Sequence, residues 1–208
     1  MSRWVVDYLS ILLLMVMFGL FSSSTRAAVE PQELVRLTSE QVLQTLEKDS
    51  AIIQDAQRLY ALVDGVLIQH MDFERMSRWV LGKYWKTASA EQQAQFIAEF
   101  RRLLVRTYAT ALATYSGQQI SYLPSRGHEQ GSEVTVRTEI AQPTGQPVQV
   151  NYSLYSRNGE WKAYDVQIGG ISLIANYRAT FAAEVRGSGL DALIQSLATR
   201  NQQAMNNL

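Results

Sequence analysis

The sequence predicts an α+β fold: a four-stranded antiparallel sheet with helices wrapped over it. Two observations carry that expectation. From residue 31 to 116 apolar residues recur at the spacing of amphipathic helices. From residue 118 to 168 the period changes to two, in four alternating runs separated by turn residues. A third observation joins the halves. The stretch 161–181, WKAYDVQIGGISLIANYRATF, begins as a strand, turns at Gly169-Gly170 and continues as a helix. Tyr164, Val166 and Ile168 alternate onto one strand face, and the helix carries Tyr177 and Phe181 back over it. Periodicity is satisfied equally by a filled core and by a cavity between these layers.

The N-terminus reads as a targeting segment. Arg3 supplies a weak positive region, and residues 11–21 form an apolar run of signal-peptide length. Thr25-Arg26-Ala27 places small residues at −3 and −1, so cleavage is expected after Ala27. The alternative is an uncleaved anchor extending back through Trp4, Val5 and Val6, which Asp7 interrupts. The domains are then a signal peptide at 1–27, a single domain at 28–200 and a polar tail at 201–208.

In the mature chain, Pro31 opens a helix with Leu34, Leu37, Val42 and Leu46 on one stripe. A second helix is expected over 51–69. Asp72 is placed to cap a short helix that Gly82 ends. Ser89-x-x-Gln92 is a capping box for a long helix to about 116, with Phe96, Phe100, Leu104, Tyr108 and Tyr115 on its stripe. The strands cover 118–122, ended by Pro124, then 134–140, 148–154 and 161–168. Asn158-Gly159 signals a type I′ hairpin. A helix to about 186 and a short last helix over 190–197 complete the chain, and 201–208 is expected to fray.

Composition removes several function classes. The chain has 208 residues, 47% of them hydrophobic, and its 19 Lys+Arg balance 19 Asp+Glu. Interspersed charge with zero net balance gives no electrostatic footprint for nucleic acid. Cysteine is absent, which excludes disulfides, thiol catalysis and thiolate metal sites. The two histidines, His70 and His128, have no second ligand at metal spacing. No nucleophile elbow, phosphate loop or dinucleotide fingerprint occurs. Asp165 is the carboxylate to single out. It has no partner base or nucleophile nearby in sequence, so it reads as structural, bonded to a backbone N–H or to Arg178. The residues alone leave a carrier, a small hydrolase or isomerase using Asp165 or His70, and a non-catalytic interaction module all open.

Three segments in order resemble the MlaC, or toluene-tolerance, family of periplasmic phospholipid-binding proteins. They are Asp72-Phe73 with residues 80–85 (VLGKYW); residues 88–108 with Gln92 and the Phe96, Phe100, Leu104, Tyr108 spacing; and residues 161–166 (WKAYDV) followed by Gly170-Ile171-Ser172-Leu173, Asn176-Tyr177-Arg178 and Phe181, closing with Gly189 and Leu193-Ile194. Gly169 is a departure, since a larger residue is expected there. The resemblance implies a twisted antiparallel sheet wrapped by helices around an apolar lipid pocket. It implies no cofactor, only a bound glycerophospholipid carried across the periplasm, and a role in outer-membrane lipid asymmetry. It implies as partners an inner-membrane MCE-domain ABC transporter complex and an outer-membrane lipoprotein–porin complex. The stripes of Leu81, Trp85, Phe100, Leu104, Tyr108, Val136, Val150, Tyr164, Val166, Ile171, Leu173, Tyr177 and Phe181 converge on one sheet face. The resemblance makes these the expected lipid lining, around a pocket near or above about 1,000 Å³, the top of the usual range.

Overall fold

Pro31 sits in the first turn of helix α1 (Pro31–Lys48), where its missing N–H leaves nothing unsatisfied. The computed structural model describes residues 29–112, 117–127 and 132–206. The signal-peptide expectations, His128 and Tyr115 lie outside them. Helix α1 buries Val35, Val42 and Leu46, whereas Leu37 is exposed, so its inward stripe is rotated from the expected one. The single helix expected over 51–69 is three pieces: a 3-10 turn at Ser50–Gln54, α2 (Ala56–Val66) and a second 3-10 turn at Ile68–His70. Asp55 makes the break. Its backbone is extended and its side chain accepts the Arg58 N–H at 3.1 Å, which starts a new helix.

Asp72 caps α3 (Phe73–Leu81) by accepting the Arg75 N–H at 2.8 Å. Gly82 ends that helix at φ +55°, and a Cβ there would meet the Arg178 guanidinium at 3.1 Å. A 3-10 turn at Gly82–Lys86 leads to α4 (Ala90–Leu112). Its capping box forms as expected: the Gln92 N–H donates to Ser89 Oγ at 3.1 Å and the Ser89 N–H to Gln92 Oε1 at 2.9 Å.

The sheet is an antiparallel meander of β1 (Ile120–Gly127), β2 (Glu133–Ile140), β3 (Val148–Arg157), β4 (Glu160–Ile168) and β5 (Ile171–Ser172), paired in chain order. It has five strands rather than four, because the chain re-pairs Ile168 with Ile171 after the Gly169-Gly170 turn. Strand β1 also passes Pro124, through a register shift between Leu123 and Arg126. Helices α5 (Leu173–Ser188) and α6 (Leu190–Asn206) follow. The polar tail expected to fray from 201 is helical to Asn206. Asn201 is buried and donates from Nδ2 to Glu99 O and Oε2, at 3.0 and 2.8 Å.

Two apolar clusters form, and they do not merge. One joins the helices, centred on Met76, Phe96, Phe100, Phe181 and Leu193. The other joins the sheet to the start of α1, through Val35, Val136, Leu154 and Ala163. Among the described residues, only α1 contributes buried residues to both. Among the described residues no helix is long and apolar enough to cross a membrane.

The segment before α3 is strapped to β4. Met71 makes an isolated parallel bridge with Ala163, and the Asp72 N–H donates to Ala163 O at 2.9 Å. Asp72 also accepts the Tyr155 hydroxyl and lies 3.4 Å from Arg157. Burial pushes its carboxyl upward, but the Arg75 N–H, Tyr155 and Arg157 outweigh it and hold the pKa below the usual aspartate value. A depressed carboxylate stabilises the fold above the unfolded value of about 3.9 and loses that contribution as pH falls through the folded value. Asp72→Ala is therefore expected to cost about 1 kcal/mol or more at neutral pH. In urea titrations the gap to the parent should close below about pH 4. A gap independent of pH would exclude this role for the charge.

Candidate functional site

The gap between the two clusters is a cavity. It measures about 280 Å³, and the cleft including its open mouth about 1180 Å³. Its volume is smaller than the sequence led us to expect. The floor is the inward face of β3 and β4, with Val150, Tyr152, Leu154, Ala163, Val166 and Ile168, and Ile140 of β2. Helix α1 closes one side with Leu34, Val35, Thr38 and Ser39. The end of α2 and the strap close another with Val63, Leu67, Ile68, His70 and Met71, and α4 supplies Leu104, Val105, Tyr108 and Leu112. Leu173, the first residue of α5, completes the wall.

The β3–β4 ladder explains the floor. Ser153 pairs with Asp165 and Leu154 with Ala163, which leaves Tyr164 as an unpaired extra residue. A bulge shifts the alternation, so Ala163 and Val166 both reach the cavity while Tyr164 leaves it. Tyr164 instead flanks the guanidinium of Arg75 at 4.2 Å, with Tyr155 at 4.1 Å on the same cation.

No carboxylate, ammonium or guanidinium is among the described lining residues. The polar groups present are neutral. Burial first, and then the Lys162 charge, lowers the His70 imidazole from its ordinary value, which favours its neutral form. Burial pushes the Tyr152 and Tyr108 hydroxyls up to about 12. The Tyr152 phenol has Thr138 for a neighbour, whose own hydroxyl donates to Val150 O at 2.9 Å. Among the described residues no three side chains converge as a metal site. Such a lining can hold hydrocarbon. It offers a reacting group neither a charged partner nor an activated nucleophile.

Asp165 stands on the other side of the bulge. Its Oδ2 accepts the Ser172 hydroxyl at 2.6 Å and its Oδ1 the Ile174 N–H at 3.2 Å. Ser172 Oγ in turn accepts the Ala175 N–H at 3.1 Å and caps α5. Asp165 thus bonds a backbone N–H, as the sequence suggested. Arg178 is not its partner and lies against Gly82 instead.

A profile of the family described as MlaC protein matches residues 36–199. The chain belongs to the MlaC family. It is 28% identical to the Haemophilus influenzae intermembrane phospholipid transport system binding protein MlaC over 180 residues, covering 83% of this chain and 84% of that one. It is 27% identical to the Pseudomonas putida toluene tolerance protein ttg2D, covering 86% and 83% of the two chains. A solved structure, the phospholipid-binding protein from Ralstonia solanacearum in complex with a phospholipid, has the same α+β fold. It aligns with a TM-score of 0.77 at 33% identity, over 83% of this chain and 97% of that one.

Within this MlaC fold the structure divides the thirteen residues expected to share one pocket. Leu104, Tyr108, Val150, Val166 and Leu173 line the cavity. Leu81, Trp85, Phe100 and Phe181 lie in the helical core, with Tyr177 packed against it. There Phe100 meets Phe96, Tyr177 and Phe181 at ring separations of 5.6, 5.4 and 6.1 Å. The α5 aromatics pack on α4 rather than face the sheet, because α5 leaves β4 along the helical layer. Val136 is buried in the sheet cluster, Tyr164 lies on the outer side with Arg75, and Ile171 is 64% exposed on β5. The sequence reading missed the α1 and strap contributions. It also missed Tyr152, Leu154 and Ile168, which the period of two from Val150 and Val166 places on the same face.

Asp165→Ala is expected to lower stability by about 1–3 kcal/mol, the range for leaving buried partners unsatisfied. Amide exchange should speed first at the start of α5. Unchanged protection at Leu173 and Ile174 would show that Asp165 does not hold this corner.

Proposed function

We propose that this protein is a periplasmic carrier of glycerophospholipid that performs no chemistry on its cargo. The observation that carries this reading is the open-mouthed cavity whose described lining holds only apolar and uncharged polar side chains. Burying hydrocarbon is worth about 0.8 kcal/mol per CH₂, and such a lining substitutes for the bilayer interior that acyl chains leave. The names of the Haemophilus and Ralstonia relatives support the cargo class. The carrier works as a monomer with its signal peptide removed after Ala27. It moves lipid between the inner and outer membranes and so supports outer-membrane asymmetry. Its partners are an inner-membrane MCE-domain ABC transporter complex and an outer-membrane lipoprotein–porin complex. Of the residues expected at the site, Leu104, Tyr108, Val150, Val166 and Leu173 are the proposed lipid contacts. A hydrolase reading is disfavoured because both Asp165 oxygens accept structural hydrogen bonds.

Native mass spectrometry of the exported protein, with lipid extraction, tests the proposal. Phospholipid should co-purify, and a uniformly lipid-free mass under gentle conditions would sink it. Val166→Glu is the informative variant. Its carboxylate would stand on the cavity floor without a partner, which costs several kcal/mol in the presence of tails or forces protonation. The cavity has room for the side chain, and water can enter once lipid is gone. The variant should fold, be exported and carry little phospholipid. Parent-level loading of a well-folded variant would remove Val166 from the site.

A further inference from the structure

We infer that the hydrocarbon site continues past Val105 into a second chamber between α2, α4 and α6, where the end of an acyl chain lodges. This rests on the carrier reading. A cavity of about 150 Å³ lined by apolar side chains accommodates benzene, so the main cavity has room for only about a dozen carbons, short of two long chains. A second cleft of about 240 Å³ nearly doubles that room. It lies on the same pair of helices. Val63 of α2, Leu67 just after it, and Leu104 and Tyr108 of α4 face the main cavity, while Tyr60 and Ala61 of α2 face the cleft. Val105 lines both spaces. The two spaces therefore adjoin the same pair of helices and share the Val105 side chain.

The rim of the cleft argues for hydrocarbon and against an anion. Arg101, Arg102 and Arg106 surround it, yet each guanidinium already meets an acceptor. Arg101 bonds both oxygens of Asp64 at 2.6 and 2.8 Å, across the seam. Arg102 pairs with Glu99, and Arg106 Nη1 donates to Arg200 O at 2.7 Å. With their charged heads engaged at the rim, the arginines present their methylene stems to the cleft. An apolar hollow rimmed by the Arg101–Asp64 and Arg102–Glu99 ion pairs, with Arg106 bonded to a backbone carbonyl, suits a methyl terminus.

The parent chain has no cysteine, so Ala61→Cys introduces a unique thiol at an exposed position on the cleft. The thiol would be labelled with bimane and the protein loaded separately with two phospholipids. One is brominated at the chain ends and the other next to the ester, with loading of each verified by native mass spectrometry. Contact quenching by the end-brominated lipid, and not by the ester-proximal one, is the expected result. Loading without quenching by the end-brominated lipid overturns the second chamber and leaves the carrier reading intact. Failure of both lipids to load overturns the carrier reading and the chamber with it. Ala61→Trp, which fills the cleft from its solvent side, should shift the co-purifying lipid toward shorter chains. An unchanged chain-length distribution in that variant also counts against the chamber.

Discussion

Strand β4 carries one residue more than β3 can pair, and the ladder takes up the excess at Tyr164. Without the bulge, strict alternation inward from Val166 would send Tyr164 to the floor and Ala163 to the outer face. A phenol ring would then occupy the space the cavity needs. With it, the small side chain of Ala163 faces inward, and the strap at Met71 approaches closely enough to bridge to its backbone. The same residue count puts Asp165 where it reaches Ser172 and the Ile174 N–H, so the bulge also sets the start of α5. Floor, strap and helix corner are three consequences of one extra residue.

Much of the fold could be read from the sequence because local rules and tertiary packing agree there. Asp72, Gly82, Ser89-Gln92, Asn158-Gly159 and Gly169-Gly170 all do what their chemistry suggests, since each acts on backbone within a turn of itself. The candidate site was less legible. A stripe identifies an inward face without naming the layer it meets. Phe100 and Phe181 are as inward as Leu104 and Leu173, yet they face a neighbouring helix instead of the sheet. Bulges leave no mark on apolar periodicity, so Tyr164 and Val166 looked equivalent. The strap was hidden for another reason: Ile68, His70 and Met71 belong to a 3-10 turn and a single bridge, which have no period to detect.

Holding the two clusters apart has an energetic consequence. A closed apolar cavity left in a core costs about 24 cal/mol per Å³; this cavity opens to solvent through its mouth, so its empty state carries only part of such a cost. Around this space α2, α3, α4 and α5 begin at side-chain caps, the ladder is continuous apart from the β1 and β4 irregularities, and both oxygens of buried Asp165 accept hydrogen bonds.

The same quantity ties stability to occupancy. Whatever fills the cavity recovers part of that cost, and a ligand that binds only the folded state adds RT ln(1 + [L]/Kd) to its stability. A tightly packed interior would gain nothing from cargo and so could not hold it. A wider permanent cavity would raise affinity but lower the stability of the empty form that must exist between loading and delivery. A gap narrower than two chains, bounded by separately packed layers and bridged by α1, lies between these limits. Each layer packs around its own buried side chains, and α1, Met71 and the strap to Ala163 join the two. For a carrier, a marginal empty state and a well-filled loaded state then follow from one feature, the separation of the sheet core from the helical core.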